Sequence, residues 1–319
     1  MNSEAPTLVD LVERMSARMP DGLTAVPGLS PVASPMHRAT TREQLRLVGR
    51  DGVVTGIAKR LHADMAGWID WQASDAAQRH AAALGIAPEI WCALPDDLVH
   101  VEAWKGTPWR TATLADLSRP AVLDAVLAAK RKLHANGPLP QVGDRPDVFD
   151  RIASLATGLR TAAAGAPSDL DWLIRKSEAA RVAVDAAAHA KTLCHGDGSS
   201  GNVLVGPDGE VMLVDFDMAR NDDPHFDLAT TLVESCELDE DWADALERAT
   251  GTVDRTTLGR LRLYGFLDDL MWGLWGCAYA TRSRRGGIEF FKYGQWRLLR
   301  CRQAAVSWSF EQWLRTAGG

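Results

Sequence analysis

Residues 193–217 read LCHGDGSSGNVLVGPDGEVMLVDFD, and this stretch determines how the rest of the chain is interpreted. Within it, two short apolar runs flank a Pro-Asp-Gly turn at residues 207–209, a pattern typical of a β-hairpin. Such a hairpin brings Asn202 and Asp215 back together at one end, within reach of one hard cation. The sequence therefore predicts a small polar site at the base of a hairpin.

The polar residues around this hairpin suit phosphoryl transfer from ATP. That reaction needs a carboxylate near the attacking hydroxyl and oxygen ligands that hold Mg²⁺ on the phosphates, because positioning and charge neutralisation supply most of the catalysis. Asp197 fits the first requirement, and the pair Asn202 and Asp215 fits the second. The alternative is a solvated Asp-Gly turn, which leaves the joint spacing of the three residues without a purpose.

The net charge restricts the class of partner. The 319 residues include 35 Lys plus Arg against 42 Asp plus Glu, for a formal net charge of −7. This charge opposes non-specific binding to nucleic acid or to an anionic membrane surface, and it favours a small cationic substrate. The chain contains twelve tryptophans, and the indole ring is the aromatic face that binds a cation best. A cluster of tryptophans is therefore a candidate binding site for such a substrate.

Location and redox state follow from the termini and the cysteines. The first 15 residues, MNSEAPTLVDLVERM, carry acids where a secretory signal peptide would carry positive charge. No uncharged run reaches the length of about 18 residues that a membrane span needs. The five cysteines include no CxxC pair and are expected to be reduced and mostly buried. We therefore predict a cytoplasmic protein.

The composition divides the chain into two parts. Up to about residue 101 it contains short β-prone runs separated by turns, and one Ala-rich helical segment at residues 68–84. After Pro120 it becomes rich in Ala and Leu at helical spacing. We predict an α+β fold with a small β-rich N-terminal lobe, residues 1–103, and a larger, mainly helical C-terminal lobe, residues 104–319.

Three motifs resemble one known superfamily. They are HGDGSSGN at residues 195–202, VDFDMA at residues 214–219 and DPHFDLA at residues 223–229. Together they are similar to the pattern of the aminoglycoside phosphotransferase and choline kinase superfamily: HGD, four residues, N, then DF(D/E) and a later DLA. The resemblance implies a protein-kinase-like bilobal fold and a reaction that uses ATP and Mg²⁺.

The resemblance also implies roles for single residues of the C-terminal lobe. Asp197 would be the catalytic base, and Asn202 and Asp215 would be the Mg²⁺ ligands. His195 would support the catalytic loop, and Asp227 would be a buried acid that braces it. His134, like the remaining histidines, shows no ligand spacing with a cysteine or an acid cluster and is interpreted as structural.

In the N-terminal lobe the resemblance implies a nucleotide site. Lys59, at the end of a predicted strand, would hold the ATP phosphates. The best register places Ser74 where the family carries the acidic partner of that lysine, so Asp75, one residue later, is the candidate partner. Val101 and Ala103 lie in the segment whose backbone groups would bind adenine.

The substrate signal lies near the C-terminus. Trp272 and Trp275 are three residues apart, and Asp268 is one turn earlier, so the three side chains share one face of a helix. The text MWGLWG followed by YGQWR is similar to the choline/ethanolamine kinase segment that forms the choline cage, which implies a cage of Trp272, Trp275 and Tyr293. The alternative is a core stripe of large apolar residues.

Three functions stay open at this point. The first is an ATP- and Mg²⁺-dependent kinase that phosphorylates a small amino alcohol, choline or ethanolamine. The second, with the same chemistry, is an aminoglycoside or other antibiotic phosphotransferase. The third is a non-catalytic nucleotide-binding protein, suggested by Ser74 and by residues 28–34, which replace the expected glycine-rich phosphate loop with one Gly and a Pro. Intact Asp197, Asn202 and Asp215 speak against the third.

Overall fold

The computed structural model describes residues 6–28, 32–34, 37–39, 41–162, 165–187 and 189–319. Residues 29–31, the centre of the predicted phosphate-covering loop, lie outside the described residues. Within the described part, no helix combines the length and the apolar character needed to cross a membrane.

The strands come mainly from the first third of the chain. They are β1 Thr24–Pro27, β2 Val32–Ser34, β3 His37–Ala39, β4 Arg42–Val48, β5 Val54–Leu61, β6 Ile90–Leu94, β7 Val99–Ala103, β8 Arg110–Thr111, β9 Thr192–Cys194, β10 Val203–Val205, β11 Val211–Leu213 and β12 Arg220–Asp222.

The helices dominate the remainder. They are α1 Leu8–Arg14, α2 Trp71–Ala83, α3 Leu114–Leu117, α4 Pro120–His134, α5 Val148–Ala162, α6 Leu170–Asp185, α7 Pro224–Ser235, α8 Asp239–Thr250, α9 Arg255–Arg282, α10 Phe290–Val306 and α11 Trp308–Thr316.

The N-terminal part is built on one antiparallel sheet of five strands, in the order β1-β4-β5-β7-β6. Helix α2 lies beside this sheet and begins at Trp71, because the Asp70 carboxylate accepts a hydrogen bond from the Ala73 N–H at 2.8 Å and caps the helix. The predicted helix at 68–84 is thus confirmed, with a start three residues later. The mixed composition, a sheet followed by a larger helical part, confirms the predicted fold class.

Strands β2 and β3 form a separate two-stranded hairpin. In the described residues it is not hydrogen-bonded to the five-stranded sheet. Instead, β2 packs against α10 and β3 lies against residues 200–202 of the C-terminal part. The hairpin therefore reaches from the N-terminal part onto the region where the sequence places the catalytic loop.

The 28-residue helix α9 is the centre of the C-terminal part. Residues on every side of it are buried, and it packs against α5, α7, α10 and α11. Gly276 allows α10 to approach, since a Cβ there would lie 2.6 Å from the Cα of Gly294. The residues of the proposed cage therefore lie at a tight helix–helix contact.

Candidate active site

The β10–β11 hairpin places the two predicted metal ligands side by side. Val203 pairs with Leu213 in the antiparallel register, and the Val214 N–H donates to the carbonyl of Asn202 at 2.9 Å. Asn202 and Asp215 therefore leave the hairpin at the same end, as the sequence predicts. Asp215 has φ = 65°, in the left-handed region that non-glycine residues rarely adopt, which is typical of strained functional positions.

A buried carboxylate holds the catalytic loop. Asp227 is fully buried and accepts hydrogen bonds from the N–H groups of His195 at 3.0 Å and Gly196 at 2.8 Å. Its carboxylate also lies 2.9 Å from Lys130 Nζ and 2.8 Å from His134 Nε2. Burial alone would raise the pKa of Asp227, but Lys130 and the hydrogen bond with His134 hold that pKa well below its ordinary value. The charge is thus matched by fixed internal partners.

Lys130 is a functional residue that the sequence does not reveal. Its ammonium group donates to the carbonyl of Asp197 at 3.1 Å and so ties the bracing acid to the loop that carries the candidate base. On the sequence it is one of three consecutive basic residues near the end of α4, and only the fold shows that it is the buried one. The sequence signal for Lys130 is helical phase, because it lies four residues after Val126 on the buried face of α4.

The fold groups His134 with a cysteine and an acid. Ligand atoms of His134, Cys194 and Asp227 all lie within 4.8 Å of one another, a grouping that the sequence spacing does not show. The pairing comes from the tertiary fold, because His134 is distant from both residues in sequence. Lys130 already supplies a cation to the Asp227 carboxylate at 2.9 Å, which favours a structural role for this cluster.

The candidate base Asp197 lies at the centre of the site. It is 7% exposed, and one of its carboxylate oxygens accepts a hydrogen bond from the Ser199 N–H at 2.9 Å. The other oxygen forms an ion pair with Arg38 from strand β3. Burial would raise the pKa of Asp197, but Arg38 and the Ser199 N–H outweigh it and lower that pKa, so the carboxylate is ionised. The His195 ring supports the loop, with its nitrogens 2.9 Å and 3.0 Å from the carbonyls of Asp197 and Val214.

The candidate metal ligands suit a divalent cation. Asp215 Oδ1 is buried and has no hydrogen-bond partner among the described residues. Burial and the neighbouring Asp217 raise the pKa of Asp215 to about 7. A cation such as Mg²⁺ next to Asp215 and Asn202 would compensate both the missing partner and the cost of ionisation. The donor set of one carboxylate and one amide oxygen fits the oxygen preference of Mg²⁺.

Asn202 and Asp215 line a cavity of about 310 Å³ between the two parts of the chain. Lys59 from β5 also lines this cavity, together with the apolar residues Val54 and Ile57. A lysine that can bind a phosphate group and an apolar wall that can contact a base are two features that a nucleotide site requires. The structure therefore places Lys59 together with the residues predicted to bind metal.

The partner of Lys59 differs from the prediction. Lys59 Nζ lies 2.6 Å from Glu102 on β7, whereas Asp75 is paired with Arg79, four residues along α2, at 2.8 Å. The assignment of Asp75 to the nucleotide site is therefore wrong. The reason is helical phase: Ser74 faces inward and is 1% exposed, and the next residue is turned away from it by about 100°.

The predicted adenine contacts are also corrected. Val101 lies inside the sheet between Ala58 of β5 and Cys92 of β6, and the Ala103 N–H donates to the carbonyl of Glu89 at 2.8 Å. These backbone groups are thus engaged within the protein. The next residue, Trp104, lines the cavity instead. The Trp104 N–H is likewise engaged, since it donates to the carbonyl of Thr55 at 2.7 Å.

The three cage residues come together as predicted from the helix spacing. The ring centroids of Trp272 and Trp275 are 5.3 Å apart at an interplanar angle of 82°, and those of Trp275 and Tyr293 are 6.2 Å apart at 88°. The space in front of Trp272 contains a cation from the protein itself: the guanidinium carbon of Arg38 lies 3.6 Å from the Trp272 ring centroid. The three residues are thus buried in the hydrophobic core of the C-terminal part, and Trp272 also faces the Arg38 charge.

Asp268 has a different environment from the one expected. Its Oδ2 accepts a hydrogen bond from Arg297 Nη2 at 2.5 Å, and Arg297 also pairs with Asp269 at 2.7 Å and with Glu234. Burial raises the pKa of Asp268 to about 7, although Arg297 opposes this. The prediction that Asp268 faces a substrate ammonium directly is corrected, because the Asp268 carboxylate is paired with Arg297. Arg297 lies one turn after Tyr293, in the YGQWR text.

A model of the phosphotransferase enzyme family matches residues 70–264, which is more than half of the chain. The chain belongs to this family. The match covers the catalytic loop, the β10–β11 hairpin and the bracing acid. No curated protein sequence matches this phosphotransferase.

Solved structures extend the similarity to the whole chain. A choline/ethanolamine kinase family protein from Mesorhizobium loti has a TM-score of 0.77 and 21% identity, over 98% of this phosphotransferase and 99% of that chain. Choline kinase LicA from Streptococcus pneumoniae has a TM-score of 0.74 and 15% identity, over 93% and 98%. A thermostable mutant of aminoglycoside phosphotransferase APH(4)-Ia has a TM-score of 0.61 and 16% identity, over 92% and 96%. The fold is the protein-kinase-like one that the resemblance implies.

Proposed function

We propose that this phosphotransferase transfers the γ-phosphoryl group of ATP, with Mg²⁺, to the hydroxyl of a small amino alcohol, choline first and ethanolamine second. The observation that carries the proposal is the cage itself. Trp272 and Trp275, with Tyr293 packed against Trp275, face the Arg38 guanidinium, whose charge lies beside the candidate base Asp197. An ammonium group in that position would place a hydroxyl two carbons away within reach of Asp197.

The reaction follows from the positions of the side chains. In the transfer, a bond forms between the alcohol oxygen and the γ-phosphorus, the bond from that phosphorus to the bridging oxygen of ADP breaks, and the hydroxyl proton goes to Asp197. Lys59, oriented by Glu102 at 2.6 Å, would bind the ATP phosphates. Asn202 and Asp215 would hold Mg²⁺, which neutralises phosphate charge when bound. The crystal structure of LicA in complex with AMP supports the nucleotide assignment.

The charges around the cage support a cationic substrate. Behind the aromatic rings, the acids Glu234, Asp268 and Asp269 surround Arg297, and Arg300 lies 3.4 Å from Asp269. Three carboxylates thus face two guanidinium groups. When Arg38 leaves the rings, the ionised Asp197 carboxylate would attract an ammonium ion towards them.

An antibiotic phosphotransferase is the competing function with the same chemistry. The similarity to APH(4)-Ia supports it, but that TM-score of 0.61 is lower than the 0.77 of the choline/ethanolamine kinase family protein. The cage residues are also 4% exposed or less, and one guanidinium group fills the space before them. This enclosure favours a small ammonium group over an aminoglycoside with several rings. A role restricted to nucleotide binding would leave Asp197, the candidate base, without a purpose.

A substrate panel tests the proposal. The purified protein is incubated with ATP, Mg²⁺ and choline, ethanolamine or one of several aminoglycosides, and the release of ADP is measured against the Asp197→Ala variant. We expect ADP release with choline or ethanolamine that exceeds both the variant and the aminoglycosides. Release with an aminoglycoside alone would move the function to antibiotic modification, and nucleotide binding without release for any acceptor would favour a binding protein.

Two further statements stay predictions. The division of the lobes between residues 103 and 104 is consistent with the end of β7 at Ala103. An ATP-dependent reaction also fits the cytoplasmic location that the sequence predicts.

A further inference from the structure

The cation that occupies the cage belongs to the β2–β3 hairpin. The guanidinium carbon of Arg38 lies 3.6 Å from the ring centroid of Trp272 and 5.9 Å from that of Trp275. Its side chain is 7% exposed and ion-pairs with Asp197. One residue of the N-terminal part therefore contacts both the rings and the candidate base.

This position coincides with the one required by the proposed substrate. An ammonium ion binds over the face of an indole ring for the same electrostatic reason that a guanidinium ion does. The hydroxyl of the substrate needs the Asp197 oxygen that Arg38 contacts. The side chain and the substrate thus exclude each other at two points, the ring face and the carboxylate.

The contacts of Arg38 are also incomplete. Its Nε is buried and has no hydrogen-bond partner among the described residues, and an unsatisfied buried donor opposes burial. The hairpin that carries it pairs within itself and not with the five-stranded sheet in the described part of the chain. Removal of Arg38 from the cage therefore leaves the five-stranded sheet intact.

We propose that Arg38 is a specificity-determining residue that competes with the substrate cation for the cage. This inference rests on the proposed function, because it assumes that the cage binds a cationic alcohol. A cation that replaces Arg38 keeps the charge beside Asp197 balanced. A neutral alcohol would remove Arg38 and leave the buried carboxylate without a counter-charge, so the exchange selects for positive charge as well as for size.

The test measures cation binding apart from catalysis. The full chain and its Arg38→Met variant are titrated with tetramethylammonium, which has the charge but no hydroxyl, by calorimetry without nucleotide. We expect Arg38→Met to bind tetramethylammonium roughly tenfold more tightly, the factor that applies if the cage is free of Arg38 about a tenth of the time. Arg175→Met, at an exposed position on α6, is the matched control and should bind like the wild type.

A second variant guards against loss of folding. Arg38→Lys keeps the charge on the hairpin but lacks the planar group that stacks on Trp272, so its tetramethylammonium affinity should lie between those of the wild type and Arg38→Met. If Arg38→Met does not fold, an Arg38→Lys affinity higher than that of the wild type supports the competition. An affinity at or below that of the wild type overturns it.

The outcomes separate the two proposals. Equal or weaker binding of tetramethylammonium by folded Arg38→Met overturns the inference, because Arg38 would then be neutral or part of the binding wall. If choline is phosphorylated by the wild type but its KM is unchanged in Arg38→Met, only the inference fails. If Arg38→Met binds tetramethylammonium more tightly and no amino alcohol is phosphorylated, the competition stands and the proposed function fails.

Discussion

Two buried carboxylates of this phosphotransferase are neutralised by buried cations in opposite ways. Asp227 is held by Lys130 from the long helix α4, and the ammonium also donates to the Thr230 hydroxyl at 3.1 Å and to two backbone carbonyls. Asp197 is held by Arg38 from a short hairpin, with one guanidinium nitrogen unsatisfied. The contacts of Lys130 favour a permanent ion pair with Asp227. Those of Arg38 favour its replacement at Asp197 by another cation.

The difference corresponds to the work of each acid. Asp227 fixes the N–H groups of His195 and Gly196 and needs no change during a reaction. In the proposed reaction Asp197 accepts the proton of a hydroxyl group, and a permanent partner would block that step. Asp215 is the third case, because its Oδ1 has no hydrogen-bond partner in the described part of the chain. We therefore expect a fixed cation at Asp227, an exchangeable cation at Asp197 and a metal ion at Asp215.

The largest expected effect is on the fixed pair. Lys130→Met leaves the Asp227 charge buried without its ammonium partner, and removal of one member of a buried pair costs about 3 to 5 kcal/mol. We expect the free energy of unfolding, measured by urea denaturation, to fall by that amount. Lys132→Met, at an exposed position on the same helix, is the control. If Lys130→Met lowers the free energy of unfolding no more than Arg38→Met does, the distinction between fixed and exchangeable cations is wrong.

The second effect concerns the exchangeable pair and appears in the rate. Asp197→Asn keeps the shape of the side chain but cannot accept the substrate proton, so kcat should fall by roughly two or more orders of magnitude. The KM for ATP should stay near that of the wild type. Asp227→Asn should do the reverse and reduce stability first. Near-normal turnover by folded Asp197→Asn would remove Asp197 from the mechanism.

The sequence predicts the parts of this site that are set by local chain geometry. The pairing of Asn202 with Asp215 follows from a hairpin of known turn type, and the shared face of Trp272 and Trp275 follows from helical spacing. The cations do not follow in this way. Lys130 is 67 residues from Asp197, and Arg38 is 159 residues from it.

The incorrect assignments have a similar origin. Asp75 and Ser74 are neighbours on α2, and a difference of one residue decides which one faces inward. Glu102, the partner of Lys59, lies on the neighbouring strand and not on the helix. Sheet register sets that contact, and a single sequence contains no direct signal for it. Asp268 lies on the predicted helix face but forms an ion pair with Arg297 from another helix, α10.

The third prediction tests the carboxylate without an internal cation. If Asp215 is a Mg²⁺ ligand, Asp215→Ala should weaken Mg²⁺-dependent nucleotide binding by on the order of tenfold to a hundredfold, at least as much as loss of an outer-shell partner of a metal. Nucleotide titrations with and without Mg²⁺ measure this. Asp208→Ala, at the exposed turn of the same hairpin, is the control. A wild type whose nucleotide affinity ignores Mg²⁺ would contradict the assignment.

The smallest effect is expected at the cage, where it depends on Arg38. Trp272 faces Arg38 in the free protein and would face the ammonium group in the complex. Trp272→Leu should therefore weaken both the binding of the substrate and the contact of Arg38 with the cage. In the Arg38→Met background the competitor is absent, and the loss of roughly 1 to 2 kcal/mol of cation–π energy should raise the KM for choline by about five- to thirty-fold. In the wild-type background the increase should be smaller.

Two measurements separate this outcome from a packing effect. Loss of a purely structural Trp272 would cost on the order of 2 to 4 kcal/mol of stability and lower activity with every substrate alike. The neutral isostere 3,3-dimethylbutanol provides the second comparison, since a cation cage prefers choline and Trp272→Leu reduces that preference. Phe291→Leu, at an exposed aromatic position on α10, should change neither value. An equal KM increase in both backgrounds would show that Trp272 does not serve Arg38 and substrate in turn, because coupling between two groups that share one site is non-additive.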